Sequence, residues 1–159
     1  MGFYQTAQIC NNGHVITSNI SAREELSPFC PKCGTQTITK CPHCQAFIRG
    51  EYEVPGVFCL RSTFITPSYC HACGNPYPWT EGVFNSISEL LDLQDQLTME
   101  EKEQFMSYLP IIFSETPQSE VTSLKLRILW NKLPSEIGAL TKNILIEVIS
   151  ESIKKILFP

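Results

Sequence analysis

Apolar and polar residues follow two different patterns along this chain, and the change falls close to residue 85. Up to that point the apolar residues form short segments separated by polar, glycine- or proline-containing turns, a pattern typical of short strands. The segments predicted to be strands are 3–9, 15–17, 35–39, 46–50 and 57–60. The first half of the chain is therefore expected to be rich in loops, with small sheets.

After residue 85 the apolar residues follow helical spacing, which predicts four helices. The first carries the leucines at positions 90, 91, 93 and 97. The capping box Thr98-Met-Glu-Glu101 opens the second, and Pro110 is expected to end it. A third runs up to Trp130, and a long amphipathic last helix begins near Pro134 and ends at about Leu157.

Four pairs of potential metal ligands interrupt the strand-rich half: Cys10 with His14, Cys30 with Cys33, Cys41 with Cys44, and Cys70 with Cys73. Two cysteines separated by two residues bring both sulfur atoms to one point, and two such turns supply the tetrahedral set that Zn²⁺ prefers. Eight ligands are enough for two ions. We therefore predict two structural zinc sites in this half of the chain.

The ligand pairs can be combined in more than one way. Sequential pairing places the first pair with the second and the third with the fourth, with fifteen and twenty-five residues between the pairs. A cross-braced arrangement, first with third and second with fourth, would resemble a RING-like module. Pairing the second with the third would leave only seven residues between them. We predict the sequential arrangement and keep the cross-braced one as its alternative.

The three histidines and the one cysteine outside the pairs differ in how well the sequence supports them as ligands. His14 completes a set that otherwise holds three cysteines, so we interpret it as a ligand. His43 and His71 lie inside the turns and are interpreted as exposed loop residues. Cys59 lies among apolar residues and is predicted to be a small buried hydrophobic residue.

The ligand sets favour structural over catalytic metal. Catalytic zinc keeps one coordination position open for water, whereas four protein ligands close it. A nucleophilic cysteine would need a partner histidine in an electropositive pocket, and the sequence offers no recognisable pair of that kind. We predict that the protein is not an enzyme.

The composition is that of a folded protein, with 43% hydrophobic and 18% charged residues. Eight cysteines could instead form a secreted disulfide framework. However, the first ten residues lack the basic and apolar segments of a signal peptide, and cysteines two residues apart do not bridge each other comfortably. The sequence has no apolar run of about 18 residues, the length that a membrane-spanning helix needs. We expect a cytoplasmic protein without a transmembrane segment.

Charge argues against nucleic acid as the main partner. Residues 1–84 hold five basic and five acidic side chains, and residues 85–159 hold seven basic and eleven acidic ones. Zinc ribbons that bind nucleic acid use a basic face to neutralise phosphates, and no such face is evident. The residues that a nucleic-acid site would use are Lys32, Lys40, Arg49 and Arg61, with Phe47, Tyr52, Tyr77 and Trp79 as stacking groups.

Several segments are similar to DUF2321, a bacterial domain of unknown function. They are 4–17, 29–34, 41–44 with 48–50, 69–80, 114–117 and 144–155. The resemblance covers nearly the whole chain and implies a zinc-ribbon-like bacterial protein. It implies no activity.

Together these observations predict a small β-rich double zinc ribbon over residues 1–84 and an α-helical region over residues 85–159. The predicted function is a zinc-binding interaction or scaffold protein, whose C-terminal helices bind a protein partner or another copy of the chain. The last helix motivates this prediction, because its apolar content exceeds what three short helices easily cover. This helix is not strongly basic, so its charge does not favour a membrane surface. A nucleic-acid-binding ribbon and a RING-like adaptor are the alternatives.

Overall fold

The structure is a computed structural model, and it describes residues 1–20, 26–57, 64–114 and 116–159. The strands are β1 (Phe3–Thr6), β2 (Gln8–Cys10), β3 (Val15–Thr17), β4 (Thr37–Ile38) and β5 (Arg49–Glu53). The helices are α1 (Pro78–Asp92), α2 (Met99–Phe113), α3 (Pro117–Trp130), α4 (Ser135–Leu145) and α5 (Glu151–Leu157). The predicted fold class, a small β-rich region followed by helices, is confirmed.

The chain divides into two compact units, Met1–Gly82 and Val83–Pro159. The first unit holds a two-stranded antiparallel sheet of β1 and β5 and a three-stranded sheet in the order β3-β2-β4. Of the predicted strands, 46–50 is shifted, since β5 begins only at Arg49. The predicted strand 57–60 lies almost entirely outside the described residues. Strands this short bury little apolar surface, so the sheets alone do not explain the stability of this unit.

The core of the first unit combines a few apolar side chains with cysteines that belong to the ligand pairs. Its buried members are Ala7, Ile9, Cys41, Ile48, Cys70, Tyr77 and Trp79. The rings of Tyr77 and Trp79 stack with their centroids 4.7 Å apart. The Trp79 indole N–H also donates to the Pro67 carbonyl at 2.8 Å. Both aromatic side chains thus pack in the core of this unit beside the cysteine turns.

The second unit is built around an ordinary hydrophobic core from its five helical segments. The buried members are Ile87, Leu91, Leu97, Phe105, Leu109, Ile112, Leu126, Leu129, Leu145, Ile149, Ile153 and Leu157. Helix α3 packs against both α2 and α5. Apolar burial therefore stabilises this unit.

The predicted capping box at the start of α2 is present. The Thr98 hydroxyl accepts a hydrogen bond from the Glu101 backbone N–H at 3.2 Å, and the Glu101 carboxylate accepts one from the Thr98 N–H at 3.0 Å. Lys132 also donates to the Glu101 carboxylate, and this lowers the pKa of Glu101. The local sequence signal therefore fixes the beginning of this helix.

Three helix boundaries differ from the sequence prediction. Helix α1 begins at Pro78, earlier than the change in pattern near residue 85. Helix α2 continues through Pro110 to Phe113, because a proline removes only one backbone donor and buried apolar residues on the last turn hold it in place. The predicted long last helix is wrong: α4 ends at Leu145 and Ser150 caps α5, its side chain accepting from the Ile153 N–H.

In the described part of the chain, the helices are all too short or too polar to cross a membrane.

The capping box yields a first prediction. Thr98→Ala removes the acceptor for one of the free N–H groups at the start of α2, and we expect it to lower the free energy of unfolding by about 1 kcal/mol. Urea unfolding followed by helical circular dichroism measures this loss. The control is Ser107→Ala on the same helix, whose exposed hydroxyl donates only to the Gln104 carbonyl. Equal effects of the two substitutions would contradict the assignment of the cap.

Candidate metal centres

The first candidate metal centre joins the end of one strand to a cysteine turn. Cys10 ends β2 and His14 directly precedes β3, while Cys30 and Cys33 lie in the next turn. The Cys10 Sγ lies 3.5 Å from His14 Nδ1 and 3.7 Å from Cys33 Sγ. The Cys30 Sγ lies 3.7 Å from His14 Nδ1. The structure therefore brings together the four residues that the sequence predicted for this centre.

The second candidate centre is built from two cysteine turns alone. The Cys41 and Cys73 sulfur atoms lie 3.7 Å apart, and those of Cys44 and Cys70 are also 3.7 Å apart. The four donors come from two turns that are far apart in the sequence. Closing this long loop requires that both turns fold against the same point.

Both groups have the size that a tetrahedral metal ion needs. Within each group all four donor atoms lie within 4.8 Å of one another. An ion with metal–sulfur bonds of about 2.3 Å at tetrahedral angles separates two sulfur atoms by about 3.8 Å. The observed separations of 3.7 Å match that edge. Each group could therefore hold one metal ion.

The grouping follows the sequential arrangement. The first pair of ligands lies with the second, and the third with the fourth. The cross-braced alternative is wrong for the described residues, and so is the pairing of the second with the third. The RING-like alternative depended on cross-bracing and loses its basis.

The three C-x2-C turns share one backbone geometry. In each, the residue after the second cysteine donates its N–H to the carbonyl of the first cysteine, at 2.8 Å for Gly34 and 2.9 Å for Gln45 and Gly74. This residue has a positive φ of 70°, 63° and 73°, respectively. Glycine adopts this conformation freely, whereas glutamine does not. Gln45, which takes the place that glycine has in the other two turns, is thus a strained position.

Burial differs between the two cysteines of each turn. The first cysteine is buried and the second is exposed, so each turn has one sulfur in the interior and one near solvent. The buried set is Cys30, Cys41 and Cys70, and the exposed set is Cys33, Cys44 and Cys73. The buried members of the second centre also belong to the core of the first unit, so metal binding and packing depend on the same side chains.

Hydrogen bonding favours the thiolate at one position of each group. Hydrogen bonds from the side chain and backbone of Thr35 lower the pKa of Cys33 to about 5. Burial raises the pKa of Cys70, but the backbone N–H groups of Ala72 and Cys73 outweigh it and lower the pKa to about 6. In the same groups burial raises the pKa of Cys10. At Cys44 the Ala46 backbone hydrogen bond lowers the pKa, but burial and the neighbouring cysteines outweigh it and raise the pKa to about 12. Each group therefore favours a thiolate at one position, which suits a divalent cation.

Two asparagines contribute in a way that the sequence analysis did not predict. The Asn12 side-chain amide lies 3.5 Å from the Cys33 Sγ, and the Asn75 amide lies 3.5 Å from the Cys73 Sγ, each in position to donate a hydrogen bond. Such outer contacts orient the ligands and stabilise thiolate charge. The signal in the sequence was weak: each asparagine is two residues from a ligand cysteine.

The remaining candidates lie outside the two groups. His43 lies 3.8 Å from the Glu81 carboxylate and is partly exposed. His71 is exposed and belongs to neither group. Cys59 lies outside the described residues, and so its predicted burial stays a prediction.

The structure weakens the nucleic-acid alternative. Tyr77 and Trp79, two of the four proposed stacking groups, are buried. Phe47 and Tyr52 are exposed, but Lys40 lies over the Phe47 ring, 4.7 Å from its centroid. Arg61 lies outside the described residues. Two of the four proposed stacking groups are therefore used in packing within the first unit.

Comparison with known proteins gives one match. A family model described as an uncharacterised protein conserved in bacteria, DUF2321, matches residues 3–157. No curated protein and no solved structure gives a significant match.

The strained turn yields a second prediction. Gln45→Gly removes the left-handed strain in the second centre, partly offset by the greater freedom of glycine when unfolded, and we expect metal affinity to rise by roughly threefold. Competition with a chromophoric chelator measures this. The converse control is Gly74→Gln, which should lower affinity, since no atom within 4 Å would obstruct a Cβ there and only the φ of 73° opposes it. A fall in affinity with Gln45→Gly would contradict the assignment of strain.

Proposed function

The chain belongs to DUF2321, a family of uncharacterised bacterial proteins, and from that premise we propose that it is a non-catalytic interaction protein. Two structural zinc ions stabilise the N-terminal unit, and the helical unit binds protein. The observation that carries the interaction role is the outer face of α3. Three large apolar side chains are exposed there, Val121 by 56%, Leu124 by 47% and Ile128 by 64%.

Donor chemistry supports zinc as the metal. Sets of three sulfurs with one imidazole nitrogen, and of four sulfurs, are typical of structural zinc sites. Soft thiolate ligands in tetrahedral geometry also disfavour magnesium and calcium, which take oxygen ligands. Reduced cysteines are required for both sets, and this agrees with a cytoplasmic location.

Four protein donors in each group support a structural role. A tetrahedral ion held by four side chains has no position left for water or substrate. The first unit has few buried apolar side chains to replace the metal. Metal binding therefore supplies much of the folding free energy of this unit, as in other small zinc domains.

The outer face of α3 supports binding of a protein. The predicted interaction surface was the last helix. Four of its apolar residues, Leu145, Ile149, Ile153 and Leu157, are buried in the core of the second unit, and its exposed ones, Leu140, Ile146 and Val148, are divided between α4 and the turn after it. Helix α3 buries Leu126 and Leu129 but also exposes three large apolar side chains on one face. A row of large apolar side chains on one exposed helix face is typical of a contact with another protein.

Removal of one ligand gives a third prediction. Elemental analysis of the purified chain should find two zinc ions per molecule, and Cys70→Ser should reduce this to one. Because metal binding supplies much of the folding free energy, that variant should also lose protease resistance in the N-terminal unit. Cys33→Ser should have the same effect through the first centre. His71→Ser, in the same turn as Cys70 but outside the donor set, should retain two ions. Full zinc content and resistance in Cys70→Ser would contradict the proposal.

A crosslinking experiment tests the interaction role and gives a fourth prediction. A photo-crosslinking residue replaces Val121 in the full chain expressed in a bacterium, and a matched variant carries it at Leu140, which is exposed on α4. We expect adducts at position 121 and few at position 140, because only the first lies on the proposed face. Adducts with twice the mass of the chain indicate a second copy, and other masses indicate a different protein. Absence of any adduct at position 121 would overturn the interaction role.

A further inference from the structure

Helix α3 faces the core with small polar residues and faces outwards with large apolar ones. Ser119, Thr122 and Ser123 are buried, together with Leu126 and Leu129. The two buried serine hydroxyls are satisfied locally: Ser123 donates to the Ser119 carbonyl at 2.6 Å, and Ser119 donates to the Ile111 carbonyl at 2.7 Å. Small residues let α3 pack closely, and they leave its large apolar residues without a partner in the described part of the chain.

The outward residues form a regular seam. Pro117, Val121, Leu124 and Ile128 are all exposed, and their spacing of four, three and four residues is that of a coiled-coil seam. With 3.6 residues per turn these four positions fall within an arc of about 60°. We call this set the α3 seam.

One edge of the seam has two charged side chains of opposite sign, and the other edge has one neutral polar side chain and one positive one. Glu120 and Arg127 lie along one edge, and Gln118 and Lys125 lie along the other. Arg127 donates one N–H to the Ile156 carbonyl at 3.1 Å. A guanidinium has five N–H donors, so Arg127 can make a further contact outwards.

We propose that the occupant of the α3 seam is the α3 seam of a second copy, paired antiparallel about a twofold axis. This inference rests on the proposed interaction role. A twofold axis between positions 122 and 123 places Val121 against Leu124 of the second copy and Pro117 against Ile128, so all four apolar residues of each copy are used. A twofold interface must be self-complementary in this way.

Charge selects the antiparallel direction. In that arrangement Glu120 of each copy lies opposite Arg127 of the other, giving two ion pairs, and the second edge brings Gln118 near Lys125. In a parallel pair Glu120 would lie near Lys125 of the other copy, which is also favourable. Arg127 would then lie near position 132, beyond the end of α3, where Lys132 already donates to Glu101. Only the antiparallel arrangement gives Arg127 an acidic partner, so that both charged residues of this edge are paired in each copy.

The size of the seam sets the strength of the contact. A stable dimer usually buries about 800 Å² on each partner, and two heptads of one helix offer less than that. We therefore expect a reversible dimer with a dissociation constant on the order of tens of micromolar. Its formation should depend on protein concentration.

Sedimentation velocity of the zinc-loaded full chain tests this, from micromolar to millimolar concentration. The wild-type chain should pass from monomer to dimer, and Leu124→Glu should remain a monomer at all concentrations. Leu140→Glu places the same charge at an exposed apolar residue away from the seam and should dimerise as the wild type does. A wild-type chain that stays monomeric, or equal dimerisation of Leu124→Glu, would overturn the proposal.

A pair of charge variants tests the antiparallel geometry. Glu120→Arg alone places the new arginine of each copy opposite Arg127 of the other. Arg127→Glu alone places the new glutamate of each copy opposite Glu120 of the other. Each variant should therefore dimerise at least tenfold more weakly than the wild type. An equimolar mixture restores both ion pairs and should recover the dimer. If Arg127→Glu dimerises by itself while Glu120→Arg does not, the pair is parallel and the antiparallel proposal is wrong. Circular dichroism shows whether each variant keeps its helices.

The crosslinking result separates this inference from the proposed function. A monomer in solution with adducts to another protein at position 121 would overturn the second copy as occupant and leave the interaction role standing. A monomer without any adduct would overturn both.

Discussion

The N-terminal unit depends on one constraint, which applies at each of its two candidate metal centres: four donor atoms must meet at one point. Its strands are too short, and its core too small, for apolar burial to hold these loops together. The constraint also explains the shape of the turns, in which a left-handed residue follows the second cysteine and allows the backbone to fold back on the first. Where that residue is Gln45 instead of glycine, the requirement of the ligand set overrides the preference of the side chain.

The ligands are tied to the rest of the unit through short hydrogen-bonded connections. The side-chain amide of Gln8, the first residue of β2, donates to the Ser27 carbonyl and to the Thr37 hydroxyl, both at 2.8 Å. After the last turn, the Thr80 hydroxyl donates to the Ser68 carbonyl at 2.8 Å. These contacts join the cysteine turns to a strand and to the start of α1. A change at a metal centre is therefore expected to reach the secondary structure on both sides of it.

The helical unit is stabilised differently, by the burial of apolar side chains in its core. Its unusual feature is the row of exposed apolar side chains on α3. A helix that buries serines and exposes leucine and isoleucine loses apolar burial within its own fold. The loss is understandable if another surface covers the seam, because the apolar area is then buried on association. In the proposed function the N-terminal unit is held together by metal, and the helical unit provides the surface that contacts another protein.

The sequence by itself determined the four ligand pairs and the start of α2, because spacing over a few residues decides whether two ligands converge or a capping box closes. Which pairs share a centre was decided by the tertiary structure. Tertiary structure alone decided the role of Tyr77 and Trp79, the passage of α2 through Pro110, the break after Leu145 and the outward face of α3. Periodicity shows that a helix has an apolar side, but it does not show which neighbours are present to cover it. The asparagines beside the cysteines escaped prediction for a similar reason, since a hydrogen bond to sulfur depends on where the turns are brought together in space.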